Sequence, residues 1–341
     1  MNKETVSTRR VICLVGPTGS GKTAAALHIS RSLEQAGFPA SIINADSRQI
    51  YQDFPITTAQ PSQEEQAQCP HLLYGWLPTD RKSSAGQWAD KARAAMAELS
   101  AQGRVPLLVG GTGLYLKALL DGMADIPAPE AAVSSRLQEQ CHTAGPELLH
   151  ARLRGIDPTY AARIHPHDRQ RIVRALEVWE STGRTFSWWH EHATASTPET
   201  DVLRLGMGLP LPELAPFLNK RIDAMLNAGA PAEARAALDA YPDLSLPGWT
   251  GIGCRELGNY LAGHCSFEEA VELWQKNTRA YAKRQWTWFR ADKRIKWFRP
   301  DDATAHQRMA ELALAFWQGQ TSASGVKFTN QNIGLPGRYV Q

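Results

Sequence analysis

The chain has 341 residues, 43% of them apolar and 21% charged, with a formal net charge of +3. This composition excludes a disordered or fibrous chain and supports a sizeable buried core, divided into two lobes. The mild positive charge permits a nucleic-acid partner without arguing for one, so any basic surface has to come from local clustering.

Residues 11–15 form a short apolar run that ends in glycine, and residues 23–36 read as a helix. Residues 41–43 are a second short strand. A helix over residues 85–101 leads into a third strand at 105–109, which Gly110, Gly111 and Thr112 break before a further helical stretch at 114–120. Strands alternating with helices predict an α/β core with a parallel sheet flanked by helices. The pattern changes after Asp121. Residues 126–130 hold two prolines and read as a linker, and residues 133–192 carry helical periodicity with no convincing strand. Strand character returns at 202–208, and helices dominate from there to about residue 318. The expected organisation is a P-loop core in two parts (1–124 and 199–318), an inserted all-helical domain (125–198) and a polar, poorly ordered tail (319–341).

Five cysteines (Cys13, Cys69, Cys141, Cys254 and Cys265) make an odd count without C-x-x-C spacing, so neither a disulfide framework nor a zinc site is expected. No run approaches the roughly 18 apolar residues of a membrane span, and residues 1–10 do not resemble a signal peptide. A soluble cytoplasmic protein is expected. A monomer is expected too, because no feature calls for a dimer.

Residues 16–23, GPTGSGKT, match G-x-x-x-x-G-K-[ST] in full and sit between a strand and a helix, the context that motif requires. Gly16, Gly19 and Gly21 let backbone N–H groups of the Thr18, Ser20 and Lys22 stretch close round phosphate oxygens. Lys22 adds positive charge, the Thr23 hydroxyl can ligate Mg²⁺, and the helix N-terminus adds a favourable dipole. The motif says diphosphate or triphosphate and does not by itself say nucleotide. The strand at 105–109 ends in glycines where a hydrolase would often place a metal-binding aspartate. An acid stands instead after the second strand, in the NADSRQ segment at 44–49, at the carboxyl end where open α/β sheets carry their sites. Asp46 reads there as a general base, a Mg²⁺ partner or a simple turn cap.

Two helices carry candidate nucleic-acid surfaces. One begins at Asp168, an N-cap, with Ile172, Leu176 and Trp179 on its apolar face and Gln170, Arg174 and Glu177 opposite. Arg174 can contact phosphate or pair with Glu177 at i+3. His165 and His167 lack a third ligand at useful spacing for a metal, and Trp188, Trp189 and His190 read as lobe packing. In the other helix Trp274, Tyr281 and Trp288 fall within about 40° on one face, which reads as core. Arg279, Lys283 and Arg290, with Trp286, lie opposite, as a basic face for phosphate contact or as solvated surface.

Taken together, GPTGSGKT, ADSRQIY (45–51), LLVGGTGLYLKALL (107–120), HPHDRQRIVRALEV (165–178), KRID (220–223), GCREL (253–257) and TRAYAKRQWTWFR (278–290) resemble the tRNA dimethylallyltransferases, in that family's order. The resemblance implies a P-loop core with an inserted helical domain that grips the anticodon arm of tRNA. It implies transfer of a dimethylallyl group from dimethylallyl diphosphate to the exocyclic amine of the adenosine 3′ of the anticodon, with Mg²⁺ assisting. On the same basis Asp46 is the base acting on that amine, and Arg221 helps to hold the diphosphate. Ser47, Arg48, Gln49, Thr112, Gln170, Arg171, Ile172, Val173, Arg174 and Arg255 then fall, with Asp46, in segments that meet tRNA. Gln60, His167, Cys254 and Ser134 stand where other residues are common in the family. Alternatives are a prenyltransferase of free adenine nucleotides, favoured less by the helical insertion and basic helix, and a P-loop kinase, opposed by the Gly110-Gly111-Thr112 turn and Asp46. A GTPase-like switch would need a guanine-reading N-K-x-D sequence, and none occurs.

Overall fold

A computed structural model describes residues 9–193 and 200–320. Beyond residue 320 the expected tail lies outside the described residues. The chain divides into two compact units, Met1–Leu120 with Pro198–Gln341, and Asp121–Thr197.

The larger unit opens with β1 (Arg9–Val15), α1 (Lys22–Gln35), β2 (Ala40–Asn44), α2 (Gln63–Gln68), β3 (His71–Leu72), α3 (Ala85–Ala101), β4 (Val105–Gly110) and α4 (Gly113–Leu120). Its strands form a six-stranded sheet, completed after the insertion by β5 (Thr200–Met207) and β6 (Lys296–Phe298), in the order β3-β2-β4-β1-β5-β6. Every pairing is parallel; Ile12 of β1, for example, stands opposite Leu107 of β4 and Leu203 of β5. A parallel sheet is covered on both faces, so its central stretches, Val11–Val15 of β1 and Leu107–Val109 of β4, are buried on both sides and do not alternate. In β1, Ile12 and Leu14 point into the core beneath α1, while Val11, Cys13 and Val15 point into the core beneath α3 and α4. The sheet is thereby sandwiched, and the β1, β2 and β4 ends meet on one edge. Gly110 is obligatory there: a Cβ on it would stand 2.2 Å from the carbonyl of Ala45, backbone that cannot yield.

The insertion is helical throughout its elements: α5 (Ala131–Thr143), α6 (Pro146–Ile156), α7 (Pro158–Ala161), α8 (Arg169–Thr182) and α9 (Phe186–Glu191). It has its own core, in which Leu137 and Cys141 of α5 and Leu149 and Leu153 of α6 pack on Ile172, Val173, Ala175 and Leu176 of α8. Asp168 caps α8 by accepting the Arg171 N–H at 3.2 Å. Buried Asp157 accepts from the Tyr160 and Ser187 N–H groups and the Ser187 hydroxyl, tying α7 to α9.

After β5 the larger unit continues with α10 (Leu211–Asn227), α11 (Ala230–Ala240), a short 3-10 turn (Pro247–Thr250), α12 (Cys254–Leu261), α13 (Phe267–Arg290), β6 and α14 (Ala305–Trp317). α14 lies on α1 and closes one face of the sheet. Among the described residues no helix is long and apolar enough to cross a membrane. The five cysteines are free thiols.

Candidate active site

The loop between β1 and α1 turns tightly because its glycines adopt conformations that other residues rarely do. Gly16 has φ of 153°, and a Cβ on it would lie 2.0 Å from the Met207 carbonyl oxygen of β5. α1 begins after Gly21 (φ 84°), with no side-chain cap. Its first N–H groups and positive dipole end are therefore open to an anion. Ser20 is buried, and its Oγ has no hydrogen-bond partner among the described residues. Lys22 folds back over the loop, donating to the carbonyl oxygens of Gly16 at 3.0 Å and Pro17 at 2.8 Å. Burial pushes its ammonium down to about 8, Asp46 opposes this, and Arg221 adds to it.

Asp46 stands just past β2, and its setting is built by neighbours from three segments. The Asn44 side chain accepts the Asp46 N–H at 2.8 Å and donates to its carbonyl and to that of Leu73. Asp46 Oδ1 accepts the Arg48 N–H at 2.9 Å, so the residue does cap a turn as well as face the site. Thr112, past β4, accepts the Ser47 N–H at 2.9 Å and donates to its hydroxyl. Gln49 donates to the carbonyls of Thr58 and Ala59, and Arg48 to the Thr250 hydroxyl at 2.8 Å. These segment residues thus support the site's walls as well as border it.

One pocket joins these parts. It is partly open to solvent and is lined by Thr18, Asp46, Arg48, Thr57, Thr58 and Arg221, and by Leu218, Ile222, Met225, Ile252, Trp274, Thr278 and Tyr281. Arg221 reaches it from α10, whose Leu214, Leu218 and Ile222 anchor the helix in neighbouring cores. Burial lowers the Arg221 guanidinium from its ordinary value and Asp46 raises it. A guanidinium stays charged under such a shift. Burial and the Asp46 carboxylate hold the Tyr281 phenol above its usual range, which keeps it a neutral donor. The pocket lining therefore combines charged groups, Asp46 with Arg48 and Arg221, and apolar ones, Leu218, Ile222, Met225, Ile252 and Trp274. Sequence reasoning missed those apolar residues. They come from α10, from the turn before α12 and from α13, and each reads locally as ordinary core.

The α13 face reading needs correction. Trp274 is buried, but Tyr281 is only partly so and Trp288 is 45% exposed, lying against Gly113 at the start of α4. The buried stripe runs through Ala270, Trp274, Ala282, Gln285 and Phe289. A seven-residue repeat drifts about 20° per repeat round a straight helix, and α13 meets three different cores along its length. The expected basic face is smaller too. Arg279 is half-buried and donates to Asn219 of α10 at 3.1 Å, and Trp286 packs edge-on against Trp297. Lys283 and Arg290 are exposed.

In the helical unit Gln170 and Arg171 are exposed, with Arg171 paired to Asp168 at 3.3 Å. The side chains of Ile172 and Val173 are buried in the core of the helical unit. Glu177, expected on the outer face, is buried beside Arg174, which pairs with it at 3.5 Å. The His167 ring lies 2.7 Å from Glu147. Arg255 is exposed in the first turn of α12.

For a magnesium ion, the described residues contain no group of three or more His, Cys, Asp or Glu side chains that could hold it. Mg²⁺ usually keeps several waters and binds through one or two protein oxygens plus substrate phosphates. The exposed Thr23 hydroxyl beside the open α1 N-terminus fits that mode, as an ion carried by a diphosphate.

The depressed Lys22 makes a measurable prediction. Its value in the folded chain, about 8, is below the ordinary 10.5. The charged form is thus penalised below about pH 8, and the free protein gains stability as pH rises from there towards the unfolded value. A bound diphosphate restores the charge. Calorimetric titration of inorganic diphosphate near pH 8, in buffers of different ionisation enthalpy, should show more proton uptake by the wild type than by Lys22→Arg, which stays charged throughout. Equal uptake would contradict a depressed Lys22.

Residues 49–292 match the family model described as IPP transferase. The chain is 57% identical to the tRNA dimethylallyltransferase of Nitratidesulfovibrio vulgaris (strain DSM 19637 / Miyazaki F), over 92% of this chain and 95% of that protein. It is 40% identical to the tRNA dimethylallyltransferase of Geobacter sulfurreducens, over 87% and 94%. Among solved structures, it resembles the tRNA isopentenylpyrophosphate transferase of Bacillus halodurans, with a TM-score of 0.65, 30% identity and coverage of 92% and 97%. A eukaryotic dimethylallyltransferase acting on tRNA superposes with a TM-score of 0.76, 25% identity and coverage of 92% and 81%.

Proposed function

Because the chain belongs to the tRNA dimethylallyltransferase family, we propose that its site performs that family's reaction with the following division of labour. The enzyme prenylates tRNA: a dimethylallyl group passes from dimethylallyl diphosphate to the exocyclic amine of the adenosine 3′ of the anticodon, and diphosphate leaves. The observation that carries the assignment to this pocket is its mixed lining, with Asp46 and Arg221 in the same pocket as Leu218, Ile222, Met225 and Trp274. A diphosphate with a five-carbon apolar tail calls for both kinds of group.

The carbon–oxygen bond to diphosphate breaks as the carbon–nitrogen bond forms. Negative charge grows on the leaving group, and the α1 N-terminus, Lys22 and Arg221 stabilise it there. The Thr23 hydroxyl would hold a magnesium ion brought in with the diphosphate, which would supply further neutralisation of that charge. The adenine amine is a weak nucleophile, its lone pair being delocalised into the ring. Asp46 orients it and accepts its proton as the new bond forms. The base leaves the anticodon stack to enter the pocket. The P-loop holds this diphosphate in place of the ATP that such loops take in kinases. Ser47, Arg48, Gln49, Thr112 and Arg255, with Gln170, Arg171 and Arg174 of the helical unit, meet the anticodon arm. The enzyme acts as a monomer in the cytoplasm.

Supplying labelled dimethylallyl diphosphate with unmodified tRNA, AMP or ATP tests the reading. Label is expected on tRNA alone. Label on AMP or ATP would favour a free-nucleotide prenyltransferase, and no transfer to any acceptor would sink the proposal.

The exposed Lys283 and Arg290 are expected to contact tRNA phosphates. Lys283→Ala and Arg290→Ala should each weaken tRNA binding and flatten its salt dependence by roughly one unit of log–log slope, leaving diphosphate affinity unchanged. Unchanged affinity and slope in both variants would make this face plain solvated surface.

A further inference from the structure

Gln285 is 4% exposed, a polar side chain in the buried stripe of α13 between Ala282 and Phe289. Burying an amide is unfavourable unless both of its ends are hydrogen-bonded. Both are. Its Oε1 accepts the Thr18 main-chain N–H of the phosphate loop at 2.8 Å, and its Nε2 donates to the Gly111 carbonyl at 2.9 Å. The orientation follows from the partners alone, since an N–H can only donate and a carbonyl can only accept.

These two anchors belong to the two halves of the reaction. Thr18 is in the loop proposed to hold the leaving diphosphate. Gly111 precedes Thr112, whose hydroxyl fixes Ser47 beside Asp46. The fit is tight, because a Cβ on Gly111 would lie 2.0 Å from Gln285 Nε2 and 3.3 Å from Asp46 Oδ2. Glycine at 111 is therefore what lets the amide reach between them. No main-chain hydrogen bond joins residues 17–23 to residues 111–113 among the described residues, so the amide supplies a polar link that the main chain does not.

We propose that Gln285 is a positioning residue for prenyl transfer, a strut that sets the distance between the diphosphate cradle and the Asp46 segment. It touches neither substrate and acts through Thr18 and Gly111. This rests on the reaction assigned above to the pocket. It also means that the Thr18 N–H is committed to Gln285, so phosphate oxygens meet the N–H groups further along the loop.

Misplacing reacting groups by about 1 Å can cost about 10²-fold in rate without changing what binds. Gln285→Leu removes both bonds at similar volume. It should lower the single-turnover rate of prenyl transfer by up to about 10²-fold, with inorganic diphosphate and tRNA affinities within about threefold of wild type. Gln285→Glu keeps the acceptor for Thr18 but, when ionised, sets an oxygen against the Gly111 carbonyl. The introduced carboxyl, buried beside Asp46, titrates above the ordinary carboxylate range. Its protonated form donates to Gly111 as the amide does. The variant's rate, relative to wild type at the same pH, should therefore recover as pH falls. Wild-type rates in both variants would overturn the proposal. So would a loss matched by weaker diphosphate or tRNA binding, or a Gln285→Glu deficit independent of pH. Should Gln285→Leu fail to fold, the Gln285→Glu pH profile decides the matter. Wild-type enzyme assayed in parallel separates this from the reaction itself: no transfer by wild type refutes the function, whereas normal variants beside active wild type refute only the strut.

Discussion

Replacing Asp46 by alanine is expected to lower the single-turnover rate of prenyl transfer by about 10²–10⁴-fold, the usual cost of losing a general base, while tRNA affinity stays within a few-fold. The carboxylate is held from both sides. Its own N–H is fixed by Asn44, and Oδ1 takes the Arg48 N–H, which leaves Oδ2 for a proton from the substrate amine. Asp46→Asn sharpens the test. The amide oxygen can still accept from Arg48, so the turn survives, but it cannot take the proton. A loss in Asp46→Asn comparable to that in Asp46→Ala would identify the base, and near-normal single-turnover rates in either would remove Asp46 from the chemistry. A second readout is independent of turnover. Asp46 raises Lys22 against the effect of burial, so either variant should shift the proton uptake on diphosphate binding to lower pH.

Arg221→Ala is expected to slow the chemical step by roughly 10²–10³-fold, the scale for losing one preorganised donor to developing negative charge. The arginine reaches from α10 into the pocket that Asp46 also lines, and the helix is anchored by Leu214, Leu218 and Ile222, which the substitution leaves untouched. Thermal stability should therefore change little. Arg221→Lys should recover part of the rate, because a point charge returns without the planar fork. Presteady-state measurement with dimethylallyl diphosphate decides the matter. An effect confined to KM would mean that Arg221 binds ground state and transition state alike. An unchanged rate would mean that the leaving group lies elsewhere in the pocket.

The elements that were legible in the sequence are those whose physics is local. The strands β1 and β4 carry continuous apolar runs, and β2 and β5 largely apolar ones, because both faces of the sheet are covered. The phosphate loop declares itself through glycines at positions with positive φ, Gly16, Gly19 and Gly21. The α8 cap at Asp168 is a side-chain signal read within four residues. The edge strands His71–Leu72 and Lys296–Phe298 gave no such signal. Each pairs with one neighbour over two or three residues, and nothing in so short a segment separates it from a loop.

α13 shows the limit most directly. Spacing alone suggested one apolar face through Trp274, Tyr281 and Trp288, whereas the helix packs successively on residues around Ile222 and Leu257, on Leu214 and Leu218, and on the sheet core that holds Phe289. Which side is buried changes with the neighbour, so Trp288 is exposed and a glutamine is buried. By itself the sequence determined the phosphate cradle, the strand-end Asp46 and the identity of the family, because glycine conformations, a strand terminus and ordered motifs are properties of contiguous residues. Only the tertiary structure decided that Arg221, Tyr281 and the apolar side chains line one pocket with Asp46, and that Gln285 ties Thr18 to Gly111 across 267 and 174 residues of chain. Those pairings depend on close packing between distant elements, and no local periodicity encodes which hydrogen-bond partner a buried amide will meet.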